Sequence, residues 1–170
     1  MVQYIAVNQK VCTGCRECEV VCSLYRFGEC NPERSAIRVL RKESKGLVWC
    51  LPLVCQQCEQ PPCIDICPVD ALSKDGDLGI LNIDRESCTG CGECTTACPA
   101  GCIFMDTKEE VALACDLCGG EPQCIALCHS RCLTAGGKNS EPGERRVERL
   151  AEIADQEFQT VGAAGQGGLT

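Results

Sequence analysis

The sequence has little from which to build an ordinary apolar core: its 170 residues include one Trp, two Tyr and three Phe, 4% aromatics in all. A chain so poor in large side chains needs another filler to offset its folding entropy, and disulfides, zinc or inorganic clusters would each serve. No apolar run is long enough to cross a bilayer, so no membrane span is expected. The start, Met1-Val2-Gln3-Tyr4-Ile5, has neither the basic region nor the apolar stretch of a secretory signal, and no twin-arginine pair stands near it. These absences point to the cytoplasm. Positive charge is also in deficit, and a formal net charge of −8 argues against nucleic acid as the main partner. Histidine occurs once, as His129, which excludes a nucleophile–base pair built on His. Because His129 follows Cys124-x3-Cys128 and not a C-x-x-C, haem attachment is excluded as well.

What the chain does have is cysteine, 20 residues of it. In a cytoplasmic protein such density reads as metal binding before it reads as a disulfide framework. The cysteines also repeat. The stretch Val7-Asn8-Gln9-Lys10-Val11-Cys12-Thr13-Gly14-Cys15-Arg16-Glu17-Cys18 returns as Ile83-Asp84-Arg85-Glu86-Ser87-Cys88-Thr89-Gly90-Cys91-Gly92-Glu93-Cys94. Likewise Leu53-Val54-Cys55-Gln56-Gln57-Cys58 matches Leu113-Ala114-Cys115-Asp116-Leu117-Cys118. Each of the four continues into a C-x3-C. Two kinds of cysteine group thus alternate, as expected of a duplicated two-cluster unit.

Sixteen cysteines fall in four groups: Cys12, Cys15, Cys18, Cys22; Cys55, Cys58, Cys63, Cys67; Cys88, Cys91, Cys94, Cys98; and Cys115, Cys118, Cys124, Cys128. Three thiolates a few residues apart can wrap three corners of one 4Fe–4S cubane. The fourth lies a helical turn further on and is carried towards a neighbouring cluster, and in bacterial ferredoxins a Pro follows it. Pro68 and Pro99 stand in that place here. Zinc ribbons use paired C-x2-C elements, two thiolates each, and three thiolates plus one per group is one too many. No C-x3-C-x2-C occurs, so the usual radical S-adenosylmethionine site is absent. Cys30, Cys50, Cys102 and Cys132 are left over and read as small buried hydrophobes. Cys132 lies four residues past Cys128 and would replace it if the register slipped; Cys128 is kept because it repeats the x3 spacing. His129 reads as a bystander beside a ligand, with hydrogen bonding to a cluster as its alternative.

These groups resemble the four-cluster, ferredoxin-like iron–sulfur subunits of molybdopterin and tungstopterin oxidoreductases over residues 3–137. Cys18-Glu19-Val20-Val21-Cys22-Ser23 with Glu29-Cys30-Asn31-Pro32 is most similar to the small subunits of tungsten aldehyde oxidoreductases, and also resembles the ferredoxin-like partner of carbon monoxide dehydrogenase. The resemblance implies four 4Fe–4S clusters. Their ligand sets would be Cys12, Cys15, Cys18 and Cys128; Cys115, Cys118, Cys124 and Cys22; Cys55, Cys58, Cys63 and Cys98; and Cys88, Cys91, Cys94 and Cys67. It further implies an electron-transfer subunit with no catalysis of its own. Its partners would be a tungsten or molybdenum pterin subunit and, at the other end, a flavoprotein or ferredoxin; a hydrogenase is the alternative catalytic partner. Ser23 and His129 depart from the pattern, standing where ferredoxins often have Pro.

The expected fold is therefore α+β: a duplicated bacterial-ferredoxin-like arrangement over 1–139, with short hairpins and short helices around four clusters. Hairpins are predicted at Ile37–Leu40 with Leu47–Leu51, at Ala71-Leu72 with Leu78–Leu81, and at Ile103–Met105 with Val111–Leu113. A helix is predicted over 140–158, with Pro142 in its first turn and Val147, Leu150, Ala151, Ala154 and Phe158 on one face. It would either pack back on the cluster domain or dock on a partner or a second copy of the chain. Residues 159–170 form a Gly-rich tail expected to be flexible. Arg34, Arg38, Arg41, Lys42 and Lys45 read as a solvated hairpin surface, with docking as the alternative.

Overall fold

The computed structural model describes residues 2–44, 47–76, 79–137, 145–146 and 148–153. Four helices each begin one residue before the third cysteine of a group. They are α1 (Glu17–Phe27), α2 (Pro62–Asp65), α3 (Glu93–Ala97) and α4 (Gln123–Leu127), which carry Cys18, Cys63, Cys94 and Cys124. The fourth cysteine follows one turn later in every case. α2 and α3 stop before Cys67-Pro68 and Cys98-Pro99, because a residue preceding Pro is pushed out of the helical region. Ser23 imposes no such stop, and α1 runs on for 11 residues, longer than the short helices predicted. It ends at Gly28, whose left-handed backbone returns its N–H to Leu24 O at 2.9 Å. The Ser23 hydroxyl accepts the N–H of Asn31 at 3.1 Å and so ties down the loop after α1.

The strands pair as four small antiparallel sheets: β1 (Tyr4–Val7) with β8 (Leu133–Gly136), β2 (Ile37–Ser44) with β3 (Leu47–Val54), β4 (Leu72–Lys74) with β5 (Leu81–Ile83), and β6 (Phe104–Met105) with β7 (Ala112–Leu113). The three predicted hairpins are present. β2 and β3 are longer than expected, and β5 starts at Leu81, where the prediction had its strand end. In β3, Pro52 stands opposite Val39 and has no N–H to give, which a two-stranded sheet tolerates. Val39 N–H instead donates to the buried Glu19 carboxylate at 2.6 Å, fastening the hairpin to α1.

β1–β8 was not foreseen. It joins the two ends of the cysteine-bearing region and matches β4–β5 position for position within the repeat, Val7↔Leu133 answering Ile83↔Leu72. Ile5, Ile37, Leu51, Val54, Leu113 and Leu117 are the fully buried centre, and most of the cysteines lie in the same core.

Residues 145–146 and 148–153, inside the predicted span 140–158, are helical. They pack back on the cysteine-bearing part. Leu150 enters the core, Arg146 lies 3.6 Å above the Tyr4 ring, and its guanidinium donates to Gln56 O at 2.7 Å. Val147, Ala154 and Phe158 of the predicted stripe, and the tail, lie outside the described residues.

The basic stretch is not the solvated surface it was read as. Arg34 is buried, stacked 3.8 Å over the Phe27 ring, and bonded to both oxygens of the buried Asp106 at 2.9 and 2.6 Å. Arg85 reaches the same carboxylate at 2.8 Å, and Glu29 and Glu109 complete the network. Arg38 is half-buried over Phe104, while Arg41 is exposed and pairs with Glu43. Lys45 lies outside the described residues.

Candidate metal centres

In each cysteine group the residue before the second cysteine has a left-handed backbone: Gly14 and Gly90 at φ 70°, Gln57 and Leu117 at φ 53°. The reversal folds each C-x-x-C loop back on itself into a cup. At Gly14 and Gly90 space is limiting as well, since a Cβ would stand 2.4 Å from Cys50 Sγ or 2.2 Å from Glu110 O. Gln57 joins two cups, donating to Cys115 O at 2.6 Å and accepting Leu81 N–H at 2.7 Å.

A second recurring turn holds the fourth cysteine of three groups. Asp70, Gly101 and Arg131, each three residues past Cys67, Cys98 and Cys128, have φ of 52°, 58° and 53° and return their N–H to the cysteine carbonyl at 3.4, 3.0 and 3.0 Å. The amides that follow then point at the sulfur, as where Cys102 N–H meets Cys98 Sγ at 3.3 Å. This lowers the thiol pKa. Cys98 falls to about 6, through its bond with the Cys102 side chain and then the amides of Cys102, Ala100 and Gly101. For Cys67 burial works upward, but the amides of Val69, Ala71 and Leu72 more than offset it. Cys128 is lowered likewise by Leu133 N–H and the Ser130 hydroxyl, against burial. Cys22, inside α1, takes its N–H from Ala36 at 3.3 Å.

Cysteines from different groups then come together. One cleft of about 420 Å³ is lined by Cys55, Cys58, Cys63 and Cys98. Another, of about 320 Å³, is lined by Cys22, Cys115, Cys118 and Cys124. Cys94 is pushed up by burial and by its neighbours Cys88, Cys91 and Cys67. Cys18 is pushed up by burial, Cys124, Glu19, Cys15 and Cys12, while Cys132 feels Cys12, Cys128 and Cys18. Burial also raises Cys55, Cys63 and Cys124, each to about 12.

Of the four leftover cysteines, Cys50, Cys102 and Cys132 are buried as expected, and all three face thiols of the groups. Cys30 is exposed, because the loop after Gly28 carries it outward, and it is not the buried hydrophobe predicted. His129 is exposed: its ring nitrogens lie 3.5 Å from Thr13 Oγ1 and 3.2 Å from Glu17 Oε2, beside Cys15.

All-sulfur donor sets in cups of inward-turned amides fit iron–sulfur clusters, whose potentials are set by such N–H contacts. Residues 47–138 match the sequence pattern of the 4Fe-4S dicluster domain. The chain belongs to that family. Residues 9–26, upstream of the dicluster domain, match a 4Fe-4S binding domain as well. Over 126 residues the chain is 40% identical to the polyferredoxin-like subunit of an aliphatic sulfonate oxidoreductase of Pyrococcus furiosus, covering 74% of this chain and 71% of that one. It is 28% identical to the thiosulfate reductase electron transfer subunit of Salmonella typhi, over 93% of this chain and 88% of that one. Against subunit beta of the NADH-dependent phenylglyoxylate dehydrogenase of Aromatoleum evansii it is 32% identical over 73% of its length, but spans only 28% of that subunit. Dicluster-domain relatives are thus electron-transfer and polyferredoxin-like subunits of oxidoreductases. Among the described residues no helix is long and apolar enough to cross a membrane.

Proposed function

We propose that this chain holds four 4Fe–4S clusters in a row and relays electrons between a catalytic oxidoreductase subunit and a second carrier. The first site is Cys12, Cys15, Cys18 and Cys128; the second Cys115, Cys118, Cys124 and Cys22; the third Cys55, Cys58, Cys63 and Cys98; the fourth Cys88, Cys91, Cys94 and Cys67. The observation that carries this reading is that each of two clefts gathers three thiols from one group and the fourth from another. It supports a duplicated two-cluster unit whose halves exchange their last cysteine. The order follows from thiols that feel each other across sites: Cys18 with Cys124, Cys115 with Cys55, and Cys63 with Cys94.

When bound, each cluster takes up and gives up an electron. The chain supplies the thiolates, directs backbone N–H groups at sulfur and keeps water from the middle of the row. Exposure supports that division. Cys15 of the first site and Cys91 of the fourth are exposed, whereas the second and third sites have no exposed thiol. Electrons would enter and leave at those two ends, and the chain itself would turn over no organic substrate.

The Cys18–Ser23 and Glu29–Pro32 segments favour a tungsten or molybdenum pterin subunit as the catalytic partner, with a flavoprotein or ferredoxin at the other end. A reducing cytoplasm suits sixteen cysteines held as cluster ligands. Because Leu150 and Arg146 are already packed on the cluster-bearing part, self-association would have to use other faces of the C-terminal segment.

Iron and acid-labile sulfide on anaerobically purified protein test the reading. About sixteen of each per chain, with interacting paramagnetic signals after dithionite reduction, are expected. A colourless chain carrying stoichiometric zinc would overturn it.

A further inference from the structure

The duplication builds two matching ends, so the first and fourth sites can be compared position by position. α4 packs on α1 as α2 packs on α3. Asn8 N–H reaches Cys132 O at 2.8 Å, and Asp84 N–H reaches Ala71 O at 2.8 Å, closing each end with the same contact. Both ends expose one thiol, Cys15 or Cys91. Both also expose two large apolar side chains close in sequence to their cysteines, Val11 and Leu127 at the first site and Ile66 and Val69 at the fourth. Charge is what differs. Exposed Lys10 and Arg131 of the first end stand where the fourth has exposed Glu86 and Asp70. Asn8 likewise stands where the fourth end has Asp84, while Glu17 and Glu93 agree. Asp84 accepts Glu86 N–H at 3.1 Å, and its contact with Ala71 brings it beside Asp70, so these three carboxylates belong to one patch. Arg85, in the same stretch, is taken up by Asp106 and Glu109 and does not offset them.

Resting on the four-cluster reading, we propose that the fourth-site end, with Ile66 and Val69 among Asp70, Asp84, Glu86 and Glu93, is the docking face for a small electron-carrier protein whose own electron port is ringed by lysines and arginines. Bound clusters would add the same negative charge to both ends, so the side chains decide which end a basic surface meets. Complementary charge speeds encounter and sets orientation more than it deepens affinity, which suits a carrier that comes and goes. The two apolar side chains supply the water-excluding centre that charge alone does not. At the first end the same carrier would meet Lys10 and Arg131, whose like charge turns it away. In the docked pair one electron leaves the reduced fourth cluster and reduces the carrier, and no covalent bond forms or breaks.

The test uses the full-length chain and oxidised mitochondrial cytochrome c, a small basic haem protein, as the probe. Anaerobic stopped-flow mixing after reduction with stoichiometric dithionite reads electron transfer, calorimetry at low salt reads binding, and iron is counted on every variant. Glu86→Lys with Asp70→Arg puts the first end's residues into the fourth, and Arg131 shows that arginine fits the left-handed turn. This pair should keep the iron of the unaltered chain and slow electron transfer at low ionic strength by about tenfold, with the gap closing as salt rises. Glu93→Lys should slow it as well, whereas Glu17→Lys, the same charge change at the first end, should not. Equal slowing by Glu93→Lys and Glu17→Lys would overturn the inference, because net charge and not a docking face would then set the rate. An unchanged rate in Glu86→Lys with Asp70→Arg at full iron would overturn it too, leaving the four-cluster reading intact. Iron well short of four clusters, with cytochrome c binding still lost in that pair, would keep the docking face and overturn the four-cluster reading instead.

Discussion

The loops that carry three cysteines each and the turns that carry the fourth hold their thiols in opposite electrostatic states. In the loops burial dominates, and Cys55, Cys63 and Cys124 are pushed up to about 12. In the turns hydrogen bonds to sulfur dominate, and Cys98 falls to about 6 through the Cys102 side chain and then the amides of Cys102, Ala100 and Gly101. Cys55, Cys63 and Cys124 therefore have no reason to ionise until a metal arrives, so their burial is stable only with a metal in place. The turn thiols Cys67, Cys98 and Cys128 are instead shifted towards the thiolate by hydrogen bonds to sulfur from the turn itself. One kind of ligand is bound up with metal-dependent folding, whereas the other is built into the fold beforehand.

The largest effect expected from breaking this comparison comes from Cys63 in α2 and Cys67 just past its end, one turn apart yet assigned to different sites. Cys63→Ser should remove the third cluster and Cys67→Ser the fourth, each lowering the iron content by about four per chain, and Cys63→Ser should destabilise the chain more. Iron analysis and spin-signal assignment on both variants check this. Loss of the same signal from both would break the pairing between groups.

The ion-pair network serves as a control, because it holds the fold without touching sulfur. Asp106→Asn removes the buried carboxylate that Arg34 and Arg85 share, leaving them Glu29 and Glu109, and should cost up to about 3 kcal/mol with iron content unchanged. The Asp106 carboxyl is held well below the ordinary range by Arg34, the Lys108 N–H and Arg85, which together outweigh burial. A carboxylate depressed in the folded state contributes stability above its unfolded pKa and loses it only as pH falls through the lower folded value. The gap in denaturation midpoint between the unaltered chain and Asp106→Asn should therefore be the same at pH 5 as at pH 8. A gap that collapses by pH 5 would mean that Asp106 has an ordinary or raised pKa.

Much of this was legible in the sequence, and the rest was hidden for identifiable reasons. Cysteine spacing marks the groups because three thiols on one short loop have few other uses. The hairpins β2–β3, β4–β5 and β6–β7 could be read because turn residues lie between their strands. β1–β8 could not, since its strands sit at opposite ends of the cysteine-bearing region with no turn joining them. Arg34 looked like surface because a run of basic residues shows its own charge, whereas its partner Asp106 lies 72 positions away. The amide-lined turns were hidden for a local reason: Asp70 and Arg131 are left-handed without glycine's signature.

The smallest effects separate the glycines of the two regions. In the loop, Gly90 is constrained by space as well as by φ, with Glu110 O 2.2 Å from where a Cβ would stand, and backbone cannot swing aside as a side chain can. In the turn, Gly101 has open space around the same position, so only its φ of 58° matters. Gly101→Ala should then cost about 1–2 kcal/mol, the left-handed penalty for an ordinary residue. Gly90→Ala should cost more and also disturb Cys88, whose sulfur receives the Ala112 N–H two residues past Glu110. Arg131→Gly removes the same strain where it already exists and should stabilise by up to about 1 kcal/mol, less the entropy that glycine adds to the unfolded chain. Denaturant midpoints read from cluster absorbance rank the three. If Gly101→Ala proved as damaging as Gly90→Ala, the turns would be limited by packing like the loops, and the contrast between the two regions would fail.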